Sequence, residues 1–178
     1  LEQGDIAGAL PLLEEAARRN PNDGLIKATL GEAYMKSGVN DKAVVAFVEA
    51  IAINPALLMV YINLGHIYQQ FASELQGKER LDILEKALYY LMVAHLKFGE
   101  RSAKILFDIG VLSLEIAQLR QVMEANGNAA GESSESELKS SDYMMNAAKA
   151  FMMAIEEDPD FAEAHFMLGQ IYLHTFQD

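Results

Sequence analysis

The sequence contains no cysteine among its 178 residues. This absence excludes disulfide bonds, thiol nucleophiles and thiolate metal ligands, and it leaves the redox compartment open. Positive charge is also scarce, because 14 lysine and arginine residues stand against 26 aspartate and glutamate residues, giving a formal charge of -12. Phosphate backbones and anionic lipid surfaces repel such a chain, so nucleic acid is not an expected partner.

Long apolar runs are missing as well. The richest stretch, residues 87–98, contains His95 and Lys97 and falls short of the ~18 apolar residues that span a bilayer. The first four residues lack the basic and apolar regions of a signal peptide. The 51% hydrophobic content is nevertheless enough to bury a core. These features predict a soluble protein without membrane insertion, and they favour a cytoplasmic location over a periplasmic or secreted one.

The sequence does contain a repeat with a period of 34 residues. Gly4, Ala9, Ala16 and Pro21 recur as Gly38, Ala43, Ala50 and Pro55. The segment Leu30-Gly31-Glu32-Ala33-Tyr34 recurs in similar form at 64–68 and at 168–172. Apolar residues three and four apart in both halves, with Gly or Pro at the ends, predict two helices in each unit.

This pattern resembles the tetratricopeptide-repeat family. Its signature of Leu-Gly-x-x-Tyr, then Ala, Phe or Tyr, Ala and Pro, is matched by Leu30-Gly31-Glu32-Ala33-Tyr34, Ala43, Phe47, Ala50 and Pro55. The resemblance implies an all-α fold, a right-handed superhelical solenoid of antiparallel helix pairs, of which this chain is expected to be a fragment. Two later units depart from the pattern, with Gly99 where proline is usual and Ser113 where tyrosine is usual.

Small residues mark the expected contacts between the two helices of a pair. Glycines at Gly31, Gly65, Gly110 and Gly169 are predicted to let the helices approach closely, with Ala43, Ala87 and Ala147 on the opposite helix.

Five segments follow from the register. We expect the second helix of a truncated repeat at 1–23, a complete repeat at 24–57, a repeat with lengthened helices at 58–102, a repeat with a long helix and a polar loop insertion at about 125–140 within 103–161, and the first helix of a truncated repeat at 162–178. Both insertions fall between first and second helices, so they are expected to form a paired helical extension. Packing of the two extensions on each other is favoured over a partner-binding ridge or an oligomer contact.

No constellation of residues points to catalysis. The four histidines, His66, His95, His165 and His174, show no metal-binding spacing. Phosphate loops, dinucleotide fingerprints and nucleophile elbows are absent from the sequence. We therefore predict a protein that is not an enzyme, with no catalytic residue, no metal and no cofactor.

The resemblance places a peptide-binding groove on the first helices. The residues in register with that groove are Glu32, Met35, Met59, Ile62, Asn63, His66, Gln69, Lys104, Phe107, Val111, Phe166 and Gln170. This lining is mostly apolar and amide, which favours an apolar or helical ligand. A ligand carboxylate is disfavoured because it would meet Glu32 and Asp108.

The sequence thus predicts a scaffold or adaptor that binds a peptide or helical segment of another protein in its concave groove. The partner is expected to be apolar and neutral or basic. Two alternatives remain. One is a structural module that forms homo-oligomers through the solenoid ends or the helical extension, and the other is the substrate-recruiting, non-catalytic arm of a larger enzyme or secretion machine.

Overall fold

The structure is a computed structural model that describes residues 3–126 and 138–175. These residues form eight α-helices and no strand, which confirms the predicted all-α fold. The helices are α1 (Gln3–Arg19), α2 (Gly24–Lys36), α3 (Asn40–Ile53), α4 (Leu58–Ala72), α5 (Gly77–Phe98), α6 (Ala103–Ala125), α7 (Ser140–Glu157) and α8 (Ala162–Thr175). Within the described ranges, none of these helices combines the length and apolar character needed to cross a membrane.

The chain divides into two compact units. The N-terminal unit is Leu1–Ile67 and the C-terminal unit is Tyr68–Asp178, so the boundary falls within α4. In the N-terminal unit, α2 packs against α1 and α3. In the C-terminal unit, α6 packs against α5 and α7, and α7 packs against α8. Within each unit, the helices that pack against each other follow one another in the chain.

Local chemistry explains where the helices begin and end. The Asp23 carboxylate accepts hydrogen bonds from the backbone N–H groups of Leu25 (2.9 Å) and Ile26 (3.2 Å), and it thereby caps α2. The Ser102 hydroxyl accepts from the N–H of Ile105 and caps α6 in the same way. Gly99 ends α5 with a positive φ of 69°, a left-handed conformation that glycine adopts without strain. This conformation explains why glycine can replace the proline usual at this position.

Two glycines set the distance between paired helices. A Cβ atom at Gly31 would lie 2.6 Å from the Phe47 ring, and one at Gly110 would lie 2.5 Å from the Phe151 ring. Both phenylalanines are fully buried. At Gly169, in contrast, a Cβ atom would meet nothing within 4 Å, so the predicted close contact is not found there. Among the described residues, no aromatic ring from a second helix lies against Gly169. Gly31 and Gly110, in contrast, contact the rings of Phe47 and Phe151.

The C-terminal unit contains two long helices, α5 with 22 residues and α6 with 23. Leu81, Leu84 and Leu91 of α5 are buried, and Leu88 is half-buried. The buried residues of α6 lie around much of its circumference and include Leu106, Ile109, Leu112 and Ile116. Most of the polar loop predicted after α6 lies outside the described residues.

Candidate functional site

Helix α6 carries three of the residues predicted to line the groove. The Phe107 ring is half-buried, with its centroid 5.5 Å from that of Phe151 and 4.9 Å from that of Phe161. Val111, one turn further on, is also half-buried and packs against the same core cluster, which includes Phe151. Phe107 and Val111 therefore belong partly to the core and only partly to a surface that a ligand could reach.

Lys104, the third of these residues, forms an ion pair with Asp108. The two side chains lie four residues apart on α6, and Lys104 Nζ is 2.6 Å from Asp108 Oδ1. The lysine side chain is 70% exposed, whereas that of the aspartate is 8% exposed. A carboxylate this buried requires a cationic partner, and Lys104 supplies one. Asp108 is therefore a paired, buried group and presents less negative charge to a ligand than its sequence position suggested.

Helix α8 carries Phe166 and Gln170, which share one face because they are four residues apart. Phe166 is 64% exposed, and Gln170 is half-buried. The other side of the helix packs inward through Ala164 and Ile171, both buried. Phe166 is thus a large apolar side chain on a helix whose other face already meets the core.

The remaining predicted groove residues lie on α2 and α4. Glu32 and Met35 of α2 are half-buried. On α4, Met59 is 56% exposed, Ile62 is only 7% exposed, and Asn63, His66 and Gln69 are half-buried. The spacing of these α4 residues places them along one side of the helix. Met59 offers much more apolar surface to a ligand than Ile62 does.

Two of the four histidines, His95 and His165, form hydrogen bonds at helix ends. His95 Nδ1 lies 2.8 Å from the carbonyl oxygen of Glu100, and His165 Nε2 lies 2.9 Å from that of Pro159. In the described part of the chain, no three His, Asp or Glu side chains are grouped as metal ligands.

A polar network joins the long helices α5 and α6 to α7. Arg120 Nη2 donates to Glu85 Oε1 at 2.6 Å, and the Tyr143 hydroxyl donates to the same oxygen at 3.3 Å. The Arg120 guanidinium also lies 5.4 Å from the Tyr143 ring centroid. Burial raises the pKa of the Tyr143 phenol, and the negative charge of Glu85 raises it further. A second pair, Arg80 with Glu115, links α5 to α6.

A cavity of about 360 Å³ lies among α5, α6 and α7 in the C-terminal unit. Leu106, Ile109 and Ser113 form its α6 wall, since they lie three and four residues apart. Met92 and His95 contribute from α5, and Asn146 contributes from α7. The sequence signal for this cavity is the serine at position 113, where the repeat pattern has tyrosine.

The comparisons with known proteins agree with this architecture. The tetratricopeptide-repeat family model matches residues 1–57. A crystal structure of MamA protein is similar to this chain with a TM-score of 0.66 and 18% identity, over 96% of this chain and 74% of that chain. The structure of MamA 41-end from Desulfovibrio magneticus RS-1 gives a TM-score of 0.65 and 17% identity, over 97% and 77% of the two chains.

A third solved structure, the human IFIT1 dimer with m7Gppp-AAAA, has a TM-score of 0.53 and 23% identity, over 93% of this chain and 32% of that chain. At these identities the similarities establish the fold. No curated protein sequence matches the chain.

Proposed function

Because residues 1–57 belong to the tetratricopeptide-repeat family and the chain has the fold of tetratricopeptide-repeat proteins, we propose that it is a protein-interaction scaffold that binds a peptide or helical segment along its first helices. Helices α2, α4, α6 and α8 are the first helices in the repeat register. The proposed role of this surface is to bind a partner, without a chemical step.

The observation that carries this proposal is the exposure of large apolar side chains on the first helices. Met59 on α4 is 56% exposed and Phe166 on α8 is 64% exposed, although both helices also bury residues in the core. Complete burial of one such side chain by a ligand contributes ~1.5–3 kcal/mol. The flexible thioether of methionine also adapts to apolar partners of different shape.

Electrostatics favour a neutral or basic partner. The formal charge of the chain is -12, and the cations Lys27 and Lys104 are already paired with Glu49 and Asp108. An acidic ligand would meet repulsion, whereas a basic ligand would be attracted. The m7Gppp-AAAA in the IFIT1 structure is a ligand of that protein. The acidic character of the present chain disfavours a nucleic-acid ligand.

A pair of methionine variants tests the proposal. Random linear peptides are selected for binding to the wild-type chain, and the affinities of the selected peptides are measured by fluorescence anisotropy against wild type, Met59→Glu and Met145→Glu. Met145, on the second helix α7, is 58% exposed and so matches Met59 in chemistry and exposure. Phe107 is a less suitable position for substitution, because its ring packs against Phe151 and Phe161. A loss of binding there could reflect either a lost ligand contact or a disturbed core.

We expect apolar, neutral or basic peptides that lose about tenfold or more in affinity with Met59→Glu, equivalent to ~1.4 kcal/mol, and that bind Met145→Glu as they bind wild type. Equal effects of the two variants would place binding away from α4. Failure to select any peptide, together with a mass in light scattering that grows with concentration, would instead support self-assembly.

A further inference from the structure

The contact between Gly110 and Phe151 shows what is unusual about position 113. Gly110 packs against Phe151 as Gly31 packs against Phe47. Three residues after Gly31 stands Tyr34, and three residues after Gly110 stands Ser113. The two positions are therefore equivalent in three dimensions as well as in sequence.

Tyrosine at the equivalent position fills the space between two second helices. The Tyr34 hydroxyl donates to Glu14 Oε1 on α1 at 2.5 Å, and Lys42 Nζ on α3 lies 5.3 Å from the centre of the Tyr34 ring. On α8, the Tyr172 hydroxyl reaches Met152 Sδ on the preceding second helix at 3.8 Å. In α2 and α8, a phenol ring thus connects a first helix to the second helix before it.

The cavity occupies the space that a tyrosine ring at position 113 would fill. Counted from the alanine that recurs in each second helix, Met92 of α5 stands where Glu14 stands in α1, and Asn146 of α7 stands where Lys42 stands in α3. Met92 and Asn146 both line the cavity. The walls of the cavity therefore correspond to those around Tyr34. The much smaller side chain of serine stands in place of the tyrosine ring.

Ser113 also supplies a polar group at this site. The residue is 1% exposed, and its Oγ has no hydrogen-bond partner among the residues that the structure describes. Buried hydroxyl groups are nearly always paired, because leaving one unpaired is costly. The Oγ exposes less than 1 Å² of surface. It therefore meets a ligand in the cavity when the serine side chain turns to another staggered position, from which the hydroxyl can donate or accept. The neighbouring Leu106 and Ile109 are apolar.

We propose that this cavity binds one aromatic ring bearing a hydroxyl group, which takes the place of the missing tyrosine. The chemistry is that of a para-substituted phenol, supplied either by a free small molecule or by the tyrosine side chain of a partner. The volume of about 360 Å³ suffices, since an apolar cavity of about 150 Å³ already binds benzene. This site lies against the second helices α5 and α7, and it is independent of the first-helix surface proposed above.

Binding of p-cresol and toluene to the whole chain tests the proposal. Titrations followed by two-dimensional ¹H–¹⁵N NMR give the affinity of each compound and the residues that it perturbs. We expect saturable binding that perturbs α5, α6 and α7, with p-cresol about fivefold tighter than toluene because of its hydroxyl group. Ser113→Ala should abolish this preference while leaving toluene binding intact. Ser113→Tyr should fill the cavity from within, remove binding of both compounds and raise the midpoint of thermal unfolding.

Ser113→Leu provides a second filled variant if Ser113→Tyr does not fold, as judged by circular dichroism. The absence of saturable binding to wild type would overturn the proposal. Binding that persists unchanged in a folded filled variant would overturn it equally, because the compounds would then occupy another site. Titration with N-acetyl-tyrosine-N-methylamide distinguishes a partner's tyrosine side chain from a free phenol as the ligand. Binding of this compound supports a tyrosine side chain, whereas binding of p-cresol alone supports a free phenol.

Discussion

Gly110 lies against the ring of Phe151 so closely that a Cβ atom at position 110 would be 2.5 Å from Cε1 of that ring. Real Cβ atoms do not approach another carbon to this distance, because the repulsion is too strong. The backbone of α6 therefore rests directly on the ring from α7. Gly31 and Phe47 show the same relationship between α2 and α3.

Replacing this glycine should destabilise the C-terminal unit. We expect Gly110→Ala to lower the free energy of unfolding by ~1–3 kcal/mol, because the added methyl group would overlap the ring of Phe151, which is fully buried. Gly169→Ala is the matched control, since its added methyl group meets nothing within 4 Å. There the loss of glycine flexibility should raise stability by ~0.4–1 kcal/mol. Urea unfolding measures both, and equal changes would contradict the contact.

The network around Arg120 should contribute to the docking of α5 on α6 and α7. Arg120→Ala removes the 2.6 Å contact to Glu85 and the contact with the Tyr143 ring. Because the arginine side chain is only 19% exposed, we expect a loss of ~1–3 kcal/mol in the free energy of unfolding. Arg18→Ala, at a side chain 73% exposed, should change it by less than ~0.5 kcal/mol. A loss at Arg120 no larger than that at Arg18 would show that the network is not stabilising.

Tyr34 should make the free energy of unfolding depend on pH in the alkaline range. Its hydrogen bond to the Glu14 carboxylate raises the pKa of the phenol to about 12, with smaller contributions from burial and from the charge of Glu14. Since the folded state holds this proton more tightly than the unfolded state, the stabilisation is complete below pH ~10 and is lost as pH rises towards about 12. Tyrosinate absorbance of wild type minus that of Tyr34→Phe isolates the titration of this residue.

Glu14→Gln is the companion variant for this titration. Without the carboxylate, Tyr34 should lose its proton at lower pH than in wild type. If the titration of Tyr34 is the same in both proteins, the hydrogen bond to Glu14 does not determine its pKa.

The fold could be predicted from the sequence because its determinants are local or periodic. The apolar spacing predicted the helices, and Gly31 and Gly110 marked where paired helices touch. Gly169 has the same sequence context, but its surroundings differ. A glycine in the repeat pattern shows that close approach is permitted, and only the neighbouring helix determines whether it occurs.

The candidate surface was harder to predict, because the exposure of a side chain depends on every neighbour. Phe107 and Val111 have the register of groove residues, yet both pack against Phe151 and the core around it. Asp108 is buried and paired with Lys104, which the sequence position did not reveal. The cavity beside Ser113 depends on side chains from three helices. No local pattern contains that information, although the missing tyrosine marks its position.

Helix α6 has buried residues on so much of its surface that no single face separates core from solvent. Such a helix gains little by forming alone, because its apolar groups are satisfied only when α5 and α7 are both in place. We therefore expect the amide protons in the central turns of α6 to exchange with solvent only when the C-terminal unit opens, so that their exchange rates report the stability of that unit.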